Sequence, residues 1–91
     1  MTFLANNYNR KTISFKKGIG SYLVATNGKK YLDFCSGIAV NSLGHANPRL
    51  VKALYKQAQK VWHVSNAFTI PEGETLAKKL VKKTFADSVI F

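Results

Sequence analysis

The sequence has a single cysteine, few acidic residues and no long apolar run. Cys35 is the only cysteine among 91 residues, so the chain forms no internal disulfide and no thiolate metal cluster, as expected for a reducing compartment. No apolar stretch approaches the roughly 20 residues of a membrane span, and the first residues lack the apolar core of a secretory signal. We therefore expect a cytoplasmic protein that does not enter the membrane.

Acidic charge is scarce: four Asp and Glu residues are present with 14 Lys and Arg residues, which gives a formal charge of +10. This balance permits anionic partners such as nucleic acid. Many of the lysines, however, fall opposite the apolar stripes of two predicted helices, as on a solvated face; they are Lys52, Lys56, Lys60, Lys78, Lys79, Lys82 and Lys83. We do not expect specific nucleic-acid binding, but a basic nucleic-acid module stays an alternative.

The first third of the chain predicts an arm and a β-hairpin. Residues 1–17 are polar and basic and predict an extended arm. Apolar runs at 21–25 and 30–34 flank Asn27-Gly28, a strong hairpin signal because both residues tolerate positive φ. Gly18-Ile19-Gly20 predicts a turn and not a dinucleotide loop, because it precedes a strand and does not follow one.

Two amphipathic helices are predicted next. Asn47-Pro48 suits an N-cap and a first helical residue, and apolar residues recur at helical spacing as far as Trp62. Thr69 is the N-cap candidate of the second helix, whose stripe includes Leu76 and Leu80.

The last three residues, 89–91, have the character of a buried strand. The sequence offers such a strand no neighbour of similar character, so its continuation would be a larger α/β domain. We therefore expect the chain to be a fragment.

The residues able to bind a metal or act in nucleophilic catalysis follow no recognisable pattern. His45 and His63 lie far apart in the sequence, and no third ligand stands at a zinc spacing. The spacing of Asp33, Cys35 and the two histidines does not predict that they converge. We expect no metal site, and we expect Cys35 to pack as a small hydrophobe.

The segment YLDFCSGIAVNSLGH, residues 31–45, followed by VWHVSN, residues 61–66, resembles the amino-terminal part of the acetylornithine aminotransferases. These are class III, fold type I enzymes that depend on pyridoxal 5′-phosphate, and the resemblance extends from about residue 7 to residue 91. It implies an α+β fragment with an N-terminal arm, a small antiparallel sheet or hairpin and two amphipathic helices. Residues 1–87 would belong to the small domain and its lead-in, and residues 88–91 would begin the first strand of the large domain.

The resemblance also implies where the substrate binds. Tyr8 matches a tyrosine that reaches the substrate in that family, and the loop lining the substrate entrance matches Ser36, Gly37, Ile38 and Ala39. Ornithine-specific relatives have tyrosine at the position of Ile38. No residue here matches the lysine that forms the Schiff base, so no catalytic residue is assigned, and the residues that bind pyridoxal 5′-phosphate would lie beyond Phe91.

The function implied by the resemblance is transfer of the terminal amino group of N2-acetylornithine to 2-oxoglutarate, in arginine biosynthesis, by a homodimer. The isolated chain would be inactive because it lacks the cofactor's electron sink. Two further alternatives stay open: a related ω-aminotransferase acting on succinylornithine, ornithine or 4-aminobutyrate, and a truncated, non-catalytic product.

Overall fold

The computed structural model describes residues 2–91 as two compact units, one ending at Lys56 and the other beginning at Gln57. The first unit contains a three-stranded antiparallel sheet in the order β1 (Phe15–Ile19), β2 (Tyr22–Ala25) and β3 (Lys30–Leu32). A four-residue helical turn follows, α1 (Ser36–Ala39). The α+β fold and the antiparallel sheet predicted from the sequence are confirmed.

The turn between β2 and β3 lies at the predicted Asn-Gly pair. The N–H of Gly28 donates to the carbonyl of Ala25 at 2.8 Å, and the N–H of Ala25 donates to the carbonyl of Lys29 at 2.9 Å. Gly28 has a φ of 87°, whereas Asn27 is not in the positive-φ region. Asn27 instead accepts the N–H of Lys29 through its side-chain oxygen at 3.0 Å. The hairpin therefore needs glycine at one position and a hydrogen-bonding side chain at the other.

The first turn of the sheet lies slightly later than predicted. Ile19 pairs with Tyr22, which places the reversal at Gly20 and Ser21, and Gly18 belongs to β1. The prediction that the arm extends to residue 17 is also wrong, because β1 already begins at Phe15, whose ring packs edge-on against Tyr31 at 5.7 Å. Residues 2–14 contain no regular secondary structure.

The first long helix, α2 (Pro48–Ala58), starts where the sequence predicted but ends earlier. The side-chain oxygen of Asn47 accepts the N–H of Arg49 at 3.0 Å, as an N-cap does. The prediction that the helix runs through Trp62 is wrong. The indole N–H of Trp62 donates to the carbonyl of Ala58 at 2.6 Å, and this side chain takes the acceptor that the backbone of residue 62 would use in a longer helix.

The second unit contains α3 (Pro71–Lys83), with acidic side chains in the first turn and basic ones in the last, as the helix dipole favours. The N-cap prediction of Thr69 is wrong: Ile70 occupies that position, and its hydrocarbon side chain makes no capping hydrogen bond. Pro71 follows at the start of the helix, where its fixed φ suits the first turn. No strand forms at residues 89–91, for which the described chain offers no pairing partner. Their assignment to a second domain stays a prediction.

Burial is slight throughout the described residues. Among residues 2–91 the only buried apolar side chain is Ala25, at 2% exposure, although many large apolar side chains are present. None of the described helices is long and apolar enough to cross a membrane. Hydrogen bonds and turn geometry therefore determine the local structure to a larger extent than a packed core does.

Candidate functional site

The turn α1 is left-handed, which the sequence did not predict. Four consecutive residues have positive φ: Ser36 at 51°, Gly37 at 65°, Ile38 at 63° and Ala39 at 63°. The flanking residues Cys35 and Val40 return to ordinary right-handed values. The segment predicted as a substrate loop is therefore a single left-handed helical turn.

Three of these four residues are not glycine, so the conformation is strained. Left-handed helical geometry brings Cβ close to the following carbonyl oxygen and costs roughly 1–2 kcal/mol for each L-residue. Ile38 is the least suited of the three because its Cβ is branched. Strain of this kind is found where the surrounding structure imposes it and is concentrated at functional sites.

Backbone hydrogen bonds close the turn internally. The carbonyl of Cys35 accepts the N–H groups of Ile38 at 2.8 Å and Ala39 at 3.2 Å. The carbonyl of Ser36 accepts those of Val40 at 2.8 Å and Asn41 at 2.9 Å. These bonds close the turn on itself but do not attach it to the sheet.

The carboxylate of Asp33 attaches the turn to the end of β3. Its Oδ1 accepts the N–H of Cys35 at 3.0 Å and the N–H of Ser36 at 2.9 Å, the two donors at the entrance to α1. Its Oδ2 lies 2.7 Å from Nε2 of His45. The side chain of Asp33 is 8% exposed and that of His45 is 20% exposed, so little water competes for these contacts.

His45 is in turn fixed to the sheet. Its N–H donates to the carbonyl of Gly20 at 2.8 Å, and the N–H of Gly20 donates to the carbonyl of His45 at 3.0 Å. The imidazole packs on Gly18, where a Cβ would lie only 2.6 Å from Cβ and Cγ of His45. Close approach of the histidine therefore requires glycine at residue 18, a requirement that was not predicted from the sequence.

These contacts keep Asp33 ionised. The N–H of Ser36 and the imidazole of His45 hold the pKa of Asp33 below its usual value, with a smaller contribution from the N–H of Cys35. Asp33 is therefore ionised near neutral pH and can only accept hydrogen bonds. Nε2 of His45 must then carry the hydrogen of the 2.7 Å contact.

A small polar cavity of about 160 Å³ lies beside the pair. Its lining includes Ser21, Ser36, Asn41 and Ser42, together with the pair itself and two glycines, but no lysine. These residues therefore do not suit a cofactor held through a Schiff base. Within residues 2–91 no three His, Cys, Asp or Glu side chains form a group able to hold a metal ion.

The predicted substrate residues fall into two groups. Four of them, residues 36–39, form α1, with Ser36 partly buried and Ile38 projecting at 93% exposure. Tyr8 lies in the arm, where the guanidinium of Arg10 stacks 5.3 Å from the centre of its ring. The contacts described for Tyr8 are with Arg10 of the arm, and its role at the substrate stays a prediction.

The structure brings together one pair whose convergence the spacing did not predict. Asp33 and His45 meet, whereas His63 belongs to the other unit. A signal was available in Asp33 itself, because an aspartate at a strand end commonly accepts N–H groups two and three residues later. Its contact with His45, twelve residues away, has no comparable local signature.

Comparison with known proteins gives the family. The profile of the aminotransferase class-III family matches residues 3–91. The chain therefore belongs to the class-III aminotransferases. It is 57% identical over 82 residues to acetylornithine aminotransferase 1 of Bradyrhizobium diazoefficiens, an alignment covering 90% of this chain and 20% of that protein.

Solved structures agree with this assignment. The N-acetylornithine aminotransferase of Stenotrophomonas maltophilia has a TM-score of 0.76 at 40% identity, over 82% of this chain and 21% of its own. The ornithine aminotransferase of Toxoplasma gondii has a TM-score of 0.86 at 27% identity, over 94% of this chain and 20% of its own. The chain thus spans about a fifth of the length of the relatives it matches.

Proposed function

We propose that these residues belong to a cytoplasmic, homodimeric acetylornithine aminotransferase. It would transfer the terminal amino group of N2-acetylornithine to 2-oxoglutarate in arginine biosynthesis. The similarity to a protein of that name, at 57% identity over 90% of the chain, is the observation that carries this proposal. The strained turn α1, which coincides with the proposed substrate loop at residues 36–39, supports it.

In this proposal pyridoxal 5′-phosphate supplies the electron sink of the reaction and is held by residues outside the described chain. The residues described here bind and orient the amino donor. The hydroxyl of Ser36 and the phenol of Tyr8 are able to donate hydrogen bonds to carboxylate or carbonyl oxygens of the donor. No proton-transfer role is assigned to either group.

Ile38 supports an acylated donor over a donor with a free α-amino group. Its aliphatic side chain projects from α1 and offers no acceptor for an ammonium group. An ammonium placed against it would lose hydration without compensation, whereas an acetylated nitrogen carries no charge to desolvate. This argument favours N2-acetylornithine, and also succinylornithine, over ornithine.

The proposal is tested by steady-state kinetics of the full-length protein carrying this sequence, supplied with pyridoxal 5′-phosphate and 2-oxoglutarate. N2-acetylornithine, N2-succinylornithine, ornithine and 4-aminobutyrate are compared as donors. We expect the highest kcat/KM with N2-acetylornithine. A higher kcat/KM with another of these donors would replace the proposed substrate, and absence of transamination with all four would overturn the proposed function.

A further inference from the structure

The shape of α1 is not explained by packing of its own side chains. Gly37 and Ala39 are exposed, Ile38 is 93% exposed, and the neighbouring Phe34 is 90% exposed. Apolar contacts among residues 2–91 therefore do not hold three non-glycine residues at positive φ. Internal backbone hydrogen bonds close the turn, and the polar contacts at its entrance attach it to the sheet.

Those contacts form one continuous connection from the sheet to the turn. The backbone of Gly20, in the turn between β1 and β2, pairs with His45. The imidazole of His45 reaches Oδ2 of Asp33, and Oδ1 of the same carboxylate accepts the first N–H groups of the turn. Because one carboxylate makes all three side-chain contacts, moving it alters the position of α1 relative to the sheet.

The geometry points to a positioning role for Asp33 and His45 in binding the amino donor. The pair holds the N–H groups of Cys35 and Ser36 so that α1 keeps the left-handed form that presents Ile38. Neither member of the pair needs to touch the substrate. This inference rests on the proposed function, because it takes α1 as the substrate loop.

Substitution separates two properties of the Asp33 carboxylate, its ability to accept hydrogen bonds and its negative charge. Asp33→Ala removes every acceptor. Asp33→Asn keeps an oxygen for the two N–H groups and offers an amide to His45, whose neutral ring accepts in its other tautomer. His45→Gln places an amide N–H near the position of Nε2 and preserves a donor. Asp87→Asn, at an exposed carboxylate, is the matched control.

Two measurements on the full-length protein test the inference. The first is amide hydrogen exchange, resolved for residues 35–41 and, as an internal reference, for β2 and β3. The second is the steady-state kinetics with N2-acetylornithine, with kcat expressed per cofactor-loaded site. A general loss of folded protein lowers the number of active sites without raising KM, whereas a displaced turn weakens donor binding.

For Asp33→Ala we expect exchange at residues 35–41 to accelerate about tenfold or more, with the strands unchanged, because hydrogen bonds to a charged acceptor are lost. We expect KM for the donor to rise about tenfold while kcat changes by less than about twofold. Asp33→Asn and His45→Gln should stay within about threefold of wild type in both measurements. Asp87→Asn should match wild type.

Unchanged exchange at residues 35–41 in Asp33→Ala, or a fall in kcat with unchanged KM, would overturn the inference. Failure of the wild-type protein to transaminate any donor would overturn the proposed function instead. In that case the exchange data still decide, without a substrate, whether the pair holds the turn.

Discussion

The imidazole of His45 packs directly on the backbone of Gly18 in β1. A Cβ at residue 18 would lie 2.6 Å from two carbon atoms of the histidine, which is closer than side-chain carbons approach one another. The histidine can move only by disturbing its contacts with Asp33 and Gly20. The absence of a side chain at residue 18 is therefore a condition for the Asp33–His45 pair.

Gly18→Ala is expected to destabilise the full-length protein by about 1–3 kcal/mol, the usual cost of forcing extra atoms into close-packed surroundings. Gly73→Ala is the matched control, because a Cβ there meets Ile70 at an ordinary 3.7 Å within α3. That change should be neutral or stabilising by about 0.5–1 kcal/mol. Denaturant unfolding checks both values. Equal effects of the two substitutions would contradict the close contact at Gly18.

Replacement of alanine by glycine should have opposite effects on stability in the left-handed turn α1 and in the right-handed helix α2. Ala39→Gly relieves a residue at a φ of 63° and should stabilise α1 by about 1 kcal/mol. Ala53→Gly makes the same chemical change within α2 and should destabilise by about 1 kcal/mol, since glycine is a poor helix former. Amide exchange in each segment measures the two effects. If both substitutions destabilise their segments, residue 39 is not in the left-handed region.

Low pH should weaken the hydrogen bonds by which the carboxylate of Asp33 holds α1. Because the folded-state pKa of Asp33 is lowered, its contribution to stability is complete above the unfolded value of 3.8 and is lost as the pH falls through the lower folded value. Asp33→Asn cannot titrate. We therefore expect exchange at residues 35–41, corrected for intrinsic rates, to accelerate in the wild type below pH 3.8 more than in Asp33→Asn. Parallel pH profiles of the two proteins would show that Asp33 titrates normally.

Ile38→Tyr should shift the donor preference. A phenolic oxygen accepts a hydrogen bond from a free α-ammonium group, whereas the aliphatic side chain of isoleucine does not. The ratio of kcat/KM for N2-acetylornithine to that for ornithine is expected to fall by about tenfold or more. Val40→Tyr, at an exposed neighbouring residue outside the left-handed turn, is the control. An unchanged ratio of kcat/KM values in Ile38→Tyr would show that residue 38 does not contact the donor.

Local chemistry explains which parts of the fold could be predicted from the sequence. The Asn27-Gly28 hairpin and the start of α2 at Pro48 each depend on residues within a few positions of one another, and both are confirmed. The end of α2 was missed because one side chain, Trp62, takes a helix carbonyl. Apolar periodicity carries no information about such a cap.

The conformation of the candidate site was not predicted from the sequence, and its role in binding a substrate stays a prediction. Residues 36–39 were expected to form a loop, whereas a left-handed turn was not, since neither Ile38 nor Ala39 favours positive φ. Asp33 contacts the turn locally, but its contact with the sheet runs through His45, twelve residues away. The contact with His45 depends on how the strands place the chain, so it follows from the tertiary structure and not from local propensity.

The backbone pairing of Gly20 with His45 also has a kinetic consequence. Adjacent strands joined by short turns assemble through local contacts, on a timescale of about 1–10 μs for a hairpin. The Gly20–His45 bridge closes a much longer stretch of chain. It can form only after the turn between β1 and β2 has formed. During folding, the three strands should therefore form before residues 36–39 are confined to their left-handed shape.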